Sequence, residues 1–204
     1  MKTLLLAFSL ALAGVSVQAQ VAPSAVEAAA YTGLHLAAHK GDAAKVQRLV
    51  ASGATLNTTD SQGRTPLHVA TFARQRDVIR ALVKAGGDLN KLESDRYDAV
   101  TIASVADDEA TLKVLLELGA SAKQVTSRYD GTALIAAAHL GHDGVVRQLI
   151  AAGAPLDHVN NLHWTAVIES IVLGDGGARH QATLKALIDA GANLQLADRS
   201  GQTP

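Results

Sequence analysis

The sequence predicts an all-α fold in which pairs of short helices stack into a solenoid. Hydrophobic residues make up 48% of the chain and aromatic residues only 3%, so Ala and Leu supply most of the apolar surface, which favours helices over sheets. A short motif, clearest at Thr65, recurs every 33 to 38 residues. A Leu and then a Gly follow it at a fixed phase, as expected for a buried helix position and the turn that ends the helix.

The repeat is counted from the Thr that precedes Pro-Leu-His in the clearest copy. Equivalent positions are Thr32, Thr65, Asp98, Thr132, Thr165 and Thr203. A Leu or Val expected in the core stands two residues later: Leu34, Leu67, Val100, Leu134 and Val167. A second phased Leu, with Gly four residues beyond it, is expected to end each unit's second helix: Leu49/Gly53, Leu82/Gly86, Leu115/Gly119, Leu149/Gly153 and Leu187/Gly191.

Each unit therefore contains a turn, a helix, a tight turn, a helix and a loop. Thr65 can cap the first helix, and Pro66 fits its first turn, where no backbone donor is lost. A period near 33 residues is typical of ankyrin repeats, and the chain resembles the ankyrin repeat family over nearly all of its length after residue 19. The resemblance implies an all-α ankyrin-repeat solenoid of helix-turn-helix units with hairpin loops.

The register divides the chain into five complete units. They occupy residues 29–61, 62–94, 95–128, 129–161 and 162–199, after a lead-in at residues 20–28. Unit three is degenerate, because Asp98-Ala99-Val100-Thr101 replaces the motif, and unit five carries an insertion at Gly174-Asp175-Gly176-Gly177. Residues 200–204 resemble the start of a truncated sixth unit, so we expect a longer parent chain.

The first 19 residues have the pattern of a secretory signal peptide. Lys2 gives a positive start, a mainly apolar segment follows, and small residues stand at the positions that a signal peptidase reads. We expect cleavage between Ala19 and Gln20 and a periplasmic or secreted protein. A membrane anchor is the alternative, but the apolar run is short for spanning a bilayer. We expect no stable membrane insertion after cleavage.

Composition and motifs argue against several classes of function. The formal net charge of −1 leaves no basic footprint for nucleic acid. The chain has no Cys, which excludes disulfides and a thiol nucleophile. It contains neither a phosphate-binding Gly-rich loop with a Lys nor a G-x-S-x-G nucleophile motif. We therefore expect no enzymatic activity and no cofactor.

The eight histidines are the remaining candidates for a metal site. His35 and His39 are four residues apart, and His139 and His142 are three apart, spacings that are compatible with zinc. The family resemblance instead implies that His35 and His68 hydrogen-bond backbone groups around the turn. No carboxylate completes either pair, so we assign no metal ligand. Three further histidines fall in predicted loops: His158, His163 and His180.

The few aromatic residues point to a protein-binding surface. Tyr31, Tyr97 and Trp164 directly precede the repeated Thr position, and Arg64 has this place in unit two. In ankyrin repeats such residues lie on the inner side of the hairpin fingers, and residues seven or eight after the Thr line the concave face. The resemblance implies one concave surface formed by Tyr31, His39, Lys40, Arg64, Phe72, Tyr97, Tyr129, His139 and Trp164. Aromatic and Arg residues dominate binding hot spots; the alternative is that the rings pack against neighbouring fingers.

We therefore expect a non-enzymatic interaction module of the periplasm or exterior that binds a protein partner through this surface. One alternative is an immunity or accessory protein that caps a secreted or periplasmic enzyme. An alternative of another class is a metal-dependent protein or enzyme that uses its histidines. Self-association through the C-terminal end is a further expectation, because four apolar residues of unit five would be covered on one side only: Val167, Ile171, Leu187 and Ile188.

Overall fold

The computed structural model describes residues 20–204. The predicted signal peptide, residues 1–19, lies outside the described residues, so cleavage after Ala19 stays a prediction. The described part of the chain forms eleven helices and two short strands: α1 (Ala25–Ala30), α2 (Gly33–Lys40), α3 (Ala43–Ala51), α4 (Pro66–Phe72), α5 (Arg76–Lys84), α6 (Ala99–Val105), α7 (Glu109–Glu117), β1 (Val125–Thr126), β2 (Gly131–Thr132), α8 (Ala133–His139), α9 (Asp143–Ala151), α10 (Ala166–Val172) and α11 (Ala178–Asp189).

The helices after α1 form five pairs that stack in chain order, and the predicted all-α solenoid is confirmed. The first helices of the pairs contact one another in succession and form an inner layer: α2, α4, α6, α8 and α10. The second helices form an outer layer in the same way: α3, α5, α7, α9 and α11. The hydrophobic core lies between the two layers and runs through all five pairs, because a single pair has too little surface to bury its own apolar face.

All five inner helices begin directly after the repeated Thr position, and in four of them, α2 being the exception, the side chain at this position caps the helix. The side-chain oxygens of Thr65, Thr132 and Thr165 each accept a hydrogen bond from the backbone N–H three residues later. Such a bond satisfies a donor that the first turn of a helix leaves unpaired. Asp98 accepts the equivalent bond from Thr101 at 2.8 Å. The degenerate unit three therefore keeps its helix start with a different residue.

Outer helices end through the phased Leu and Gly. In unit four the N–H of Ala154 donates to the carbonyl of Leu149 at 3.0 Å. The intervening Gly153 has a φ of +78°, which an L-residue adopts only at a cost. The Leu149 side chain is fully buried, so one Leu supplies both a core side chain and the carbonyl that closes the helix. Equivalent bonds close the other outer helices at Leu49, Leu82, Leu115 and Leu187.

Hairpin fingers connect the units, and each tip is organised by one polar side chain. Asp60 Oδ1 accepts the N–H groups of Gln62 and Arg64, both at 2.9 Å. Side chains at the same place in other units accept N–H groups two and four residues later: Glu93, Asn160 and Asp198. At the boundary of units three and four, β1 and β2 pair in antiparallel fashion, with Val125 opposite Thr132. The fingers are thus rigid turns.

Two elements differ from the sequence-based expectation. Helix α1 lies in the segment assigned only as a lead-in, where Ser24 and Glu27 form a capping box. His180, expected in a loop, lies in α11, which begins at Ala178 and is longer than the other outer helices. The insertion in unit five forms a compact turn, in which Asp175 accepts the Gly177 N–H at 2.8 Å, and the helix starts directly after it.

Candidate protein-binding surface

Stacking aligns the last turns of the inner helices along one face of the solenoid. Seven residues after the repeated Thr position stand His39, Phe72, Val105, His139 and Val172. One residue further on stand Lys40, Ala73, Ala106, Leu140 and Leu173. These ten positions, the inner-helix row, lie at the end or C-cap of consecutive inner helices.

The C-terminal half of the inner-helix row exposes large apolar side chains. Leu140 is 38% exposed, Val172 55% and Leu173 43%. None of these side chains completes the core, which closes beneath them through residues such as Ala137 and Val167. Contiguous exposed apolar surface is typical of a binding site.

The fingers form a second row beside the inner helices. Backbone bonds join successive tips, from Ser94 to Gln62 (3.0 Å), from Ser127 to Arg96 (2.9 Å) and from Asn161 to Tyr129 (2.9 Å). Two ion pairs of 2.9 Å tie the tips of units three and four, Arg96–Asp130 and Arg128–Asp95. A partner that contacts one finger therefore contacts a row of fingers that are bonded to one another.

Four of the predicted site residues remain accessible: Phe72, Tyr97, Tyr129 and Trp164 are each partly exposed. The backbone of Trp164 is held by Asn160, which accepts its N–H at 3.0 Å. Within residues 20–204 the Tyr97 and Tyr129 hydroxyls and the Trp164 indole N–H make no hydrogen bond. Partial burial raises the pKa of Tyr97, so its hydroxyl stays a donor. Rings with an unpaired polar tip suit an interface.

Tyr31 and Arg64 lie in the interior instead. Arg64 is 1% exposed, and its guanidinium bonds Asp60 at 2.7 Å, Glu27, and the carbonyl of Val21 at 3.2 Å. The Tyr31 hydroxyl donates to Asp60 at 2.7 Å. Two carboxylates neutralise the one buried guanidinium, which makes its burial tolerable. These two residues of the predicted surface therefore hold the first finger to α1.

The charges of this cluster are fixed by its hydrogen bonds. Burial disfavours the Asp60 carboxylate, but the bonds from Tyr31 and Arg64 outweigh it and lower the Asp60 pKa. Burial also opposes the Arg64 charge, yet the bond to Asp60 raises the Arg64 pKa. Burial and then the Asp60 bond raise the pKa of Tyr31. The cluster is a closed ionic network rather than a reactive site.

The other three predicted residues, His39, Lys40 and His139, lie along the inner-helix row and differ in their contacts. Lys40 is exposed, and within the described part of the chain its ammonium makes no ion pair. The His39 ring meets the Tyr31 ring edge-on at 6.2 Å. His139 Nδ1 lies 2.9 Å from Glu169 Oε2, and that buried carboxylate also accepts from Asn160 at 3.0 Å. Lys40 is therefore the free charge of the set.

The spaced histidine pairs do not converge on a common ligand position. The His35 ring bonds the carbonyl of Arg64 at 2.9 Å, and the His142 ring bonds the carbonyl of Ser104 at 2.9 Å. His68 is buried and bonds both Thr65 and the carbonyl of Lys91. Among residues 20–204 no group of three or more His, Cys, Asp or Glu is placed to hold a metal ion. None of the described helices is long and apolar enough to span a bilayer.

The sequence reasoning missed the apolar part of the inner-helix row. The predicted binding surface was based on aromatic and charged residues and did not include Leu140, Val172 and Leu173. The signal was present, since these residues occupy the same phase as His39 and Lys40. These side chains are exposed because they lie at the ends of their helices. The repeat pattern gives the position of a residue along the chain but not its exposure.

The sequence and the fold of this chain are similar to those of known ankyrin repeat proteins. The family model described as ankyrin repeats (3 copies) matches residues 6–93 and 100–198. The ankyrin repeat protein YahD of Escherichia coli (strain K12) is 35% identical over 170 residues, which cover 83% of this chain and 84% of the relative. An ankyrin repeat domain from Acinetobacter baumannii AYE has a TM-score of 0.78 at 40% identity, with 84% of this chain and 87% of that chain covered. The ankyrin repeat protein EF0377 has a TM-score of 0.74 at 29% identity, with 85% and 89% covered.

Proposed function

Because the chain belongs to the ankyrin repeat family, whose repeats generally mediate protein–protein interaction, we propose that it is a non-enzymatic module that binds a protein partner through its concave surface. That surface consists of the inner-helix row and the adjoining finger rings Tyr97, Tyr129 and Trp164. Tyr31 and Arg64 act beneath it, as supports for the first finger.

One observation carries the proposal: apolar side chains are exposed where the fold does not require them. Leu140 and Leu173 extend beyond the closed core at the ends of α8 and α10, and Val172 is exposed beside Ile168, Ile171 and Pro204. Covering such side chains together with an aromatic ring is the usual source of hot-spot energy. The ion-paired, linked fingers supply a rigid frame, which lowers the entropic cost of binding.

Site-directed photo-crosslinking in intact cells tests the proposal. A benzophenone side chain placed at Leu173 should yield a discrete cross-linked product, because a partner would lie within reach. The same probe at Lys113, an exposed residue of the outer helix α7, should yield none. Products of equal intensity from both positions would contradict binding at the concave surface.

Truncation of a finger ring gives a quantitative test once the cross-linked partner is identified. Trp164→Ala should weaken binding by more than ~1 kcal/mol, as hot-spot truncations do. Lys185→Ala in the outer helix α11 should leave binding unchanged. A loss of affinity matched by an equal loss of stability would favour the alternative that the ring serves packing.

We also propose that the protein acts outside the cytoplasm. The proposal is supported by the Lys2-to-Ala19 pattern alone. Mass spectrometry of the protein from its host should find Gln20 as the N-terminus in an envelope or extracellular fraction. An intact Met1 on cytosolic protein would overturn it.

Self-association is a second candidate, and one observation favours it. On the last helix pair Ile171 is 45% exposed and Ile188 44% exposed, whereas Val167 and Leu187, expected to be uncovered with them, are buried at 1% and 0%. Apolar surface of this kind favours association between copies. Sedimentation velocity should show a concentration-dependent dimer that Ile188→Glu abolishes. A monomer at all concentrations would exclude this candidate.

A further inference from the structure

The two ends of the inner-helix row differ in chemistry. At the N-terminal end the row carries Lys40, and Arg74 stands directly after Ala73 at the turn of unit two, with a left-handed φ of 56°. At the C-terminal end the row carries the exposed Leu140, Val172 and Leu173. The row is therefore basic at one end and apolar at the other.

We propose that the concave surface binds an extended polypeptide segment in one direction, with acidic residues against Lys40 and Arg74 and bulky apolar residues against Leu140, Val172 and Leu173. The inference rests on the proposed function and adds to it the chemistry and the polarity of the partner.

Charge complementarity supports the acidic end of the partner. Within residues 20–204 the Lys40 ammonium has no hydrogen bond or ion pair, and the nearby Asp42 carboxylate is used as the N-cap of α3, where it accepts the Lys45 N–H at 2.8 Å. The Arg74 side chain is 61% exposed, although it lies 3.7 Å from Asp108 and donates to the carbonyl of Ala106. Exposed cations at an interface rim select acidic partners and speed their association.

The carboxylates of Glu169 and Asp175, at the apolar end, already have hydrogen-bond partners within the protein. The carboxylate of Glu169 is buried and held by His139 and Asn160. The carboxylate of Asp175 accepts the Gly177 N–H at 2.8 Å and lies 2.7 Å from the His180 ring. Burying a Leu or Phe against the neighbouring leucines therefore leaves no carboxylate newly unpaired.

Stacking geometry sets the spacing between the two ends. Unit three, in the middle of the row, carries Val105 and Ala106, whose small apolar side chains let a backbone approach closely. The centres of the basic and apolar ends are three stacking steps apart, and packed helices lie about 8–10 Å apart, which gives roughly 24–30 Å. An extended chain covers ~3.3–3.6 Å per residue. The acidic and apolar residues of the partner should thus be separated by about seven to nine residues.

Selection from a random 16-residue peptide library displayed on phage tests the inference with the purified protein. Enriched peptides should combine Asp or Glu with Leu, Ile or Phe at about that separation. Their affinity should fall by about fivefold or more in Lys40→Glu, and it should weaken as salt is added. Lys185→Glu is the matched control, because it reverses an exposed charge on the outer helix α11.

The outcomes separate the inference from the proposed function. Peptides that depend on Leu173 and Trp164, tested by Leu173→Ser and Trp164→Ala, but are indifferent to Lys40→Glu would refute the polarity and leave concave binding intact. No enrichment, or peptides indifferent to all three concave substitutions, would refute both. Because the Lys40 side chain makes no hydrogen bond or ion pair within the described residues, its replacement should cost no more than the small helix-dipole effect of a charge in the last turn of α2, and urea melts verify this.

Discussion

The buried His68 makes the stability of the solenoid depend on pH. Burial lowers its pKa from 6.5 to about 4. Between these values the unfolded chain binds more protons than the folded chain, so stability falls as the pH drops from about 6.5 towards 4 and is constant above that window. The shift corresponds to at most about 3 kcal/mol. Urea unfolding at pH 7.5 and pH 4.5 should show this loss.

The control for this prediction is His68→Gln, whose amide can still donate to the Lys91 carbonyl that the ring bonds at 2.9 Å. Glutamine does not titrate, so the variant should be less stable at neutral pH but should lose less stability on acidification. If both proteins lose the same free energy between the two pH values, other groups cause the effect.

Breaking the buried Arg64 cluster should be costly. In Arg64→Ala the carboxylates of Asp60 and Glu27 lose the guanidinium that bonds them both, and removing one partner of a buried ionic group typically costs about 3–5 kcal/mol. Chemical denaturation measures the loss. Arg199→Ala, an exposed finger residue, should change stability by less than about 0.5 kcal/mol. Comparable effects of the two substitutions would contradict a structural role for Arg64.

At the scale of single residues the sequence predicted positions better than environments. The phase of Arg64 placed it correctly at the base of a finger, but its second carboxylate, Glu27, lies 37 residues earlier on a helix that the pattern does not reveal. The structural role of His35 and His68 was predicted from family resemblance and is confirmed by their bonds to backbone carbonyls. The contribution of the named residues to binding stays a prediction.

At the scale of turns, several residues other than Gly adopt left-handed backbone angles. His163 has a φ of 66° and Asp107 a φ of 51°, a strain of roughly 1 kcal/mol or more each. The Asp107 carboxylate accepts two hydrogen bonds from Arg179, of 2.8 and 3.0 Å. Within the described residues the His163 side chain makes no hydrogen bond. Of these two residues, Asp107 but not His163 therefore makes a side-chain bond that accounts for its backbone strain.

Glycine substitutions should separate these two turns. His163→Gly should stabilise the protein by up to about 1 kcal/mol, because it relieves strain and removes no contact. Asp107→Gly should stabilise it less or destabilise it, since the Arg179 pair is lost. Thermal and urea unfolding of both variants provide the comparison. A destabilised His163→Gly would show that the ring has an internal role.

At the scale of helices, the phased leucines should determine stability. Leu149 is fully buried and also closes α9, so Leu149→Ala should cost ~2–5 kcal/mol through the cavity it leaves. Lys113→Ala changes an exposed side chain and should stay within about 0.5 kcal/mol. Urea melts that give equal losses would refute the register of the repeat.

Helices and caps were predictable because their signals are local. Core positions, glycine turns and capping residues recur at a fixed phase, and the bonds that cap and close the helices reach at most five positions along the chain. Helix α1 has no counterpart in the repeat, so the phase predicts only a lead-in for residues 20–28. His180 was misplaced because the length of the insertion does not indicate where a helix resumes.

At the scale of the whole molecule, one side chain among residues 20–204 hydrogen-bonds a repeat unit that is not adjacent to its own. In a repeat protein each unit normally contacts only the adjacent ones. Arg179 of unit five bonds Asp107 of unit three and also Asp143 of unit four, the latter at 3.2 Å. Its hydrogen bonds to Asp107 lower that residue's pKa. Arg179 and Asp107 are 72 residues apart in the sequence. Their contact depends on the curvature of the assembled stack, so the repeat pattern could not predict it.

Removing this link should loosen the last helix pair. The bidentate geometry and the shared second carboxylate make Arg179 stronger than an isolated surface pair, yet its side chain is 52% exposed, so about 1 kcal/mol is the upper expectation. In Arg179→Ala the amides of α10 and α11 should therefore exchange with solvent deuterium up to about fivefold faster, while those of α4 and α5 keep their rates.

Lys185→Ala breaks only a local pair within α11, Lys185–Asp189, and should not reproduce the pattern. A double-mutant cycle with Asp107→Asn, which keeps a residue that tolerates the left-handed backbone, assigns the effect, because the second substitution should add little once Arg179 is absent. Unchanged exchange in α10 and α11 would mean that packing between adjacent units alone holds the C-terminal helices in place.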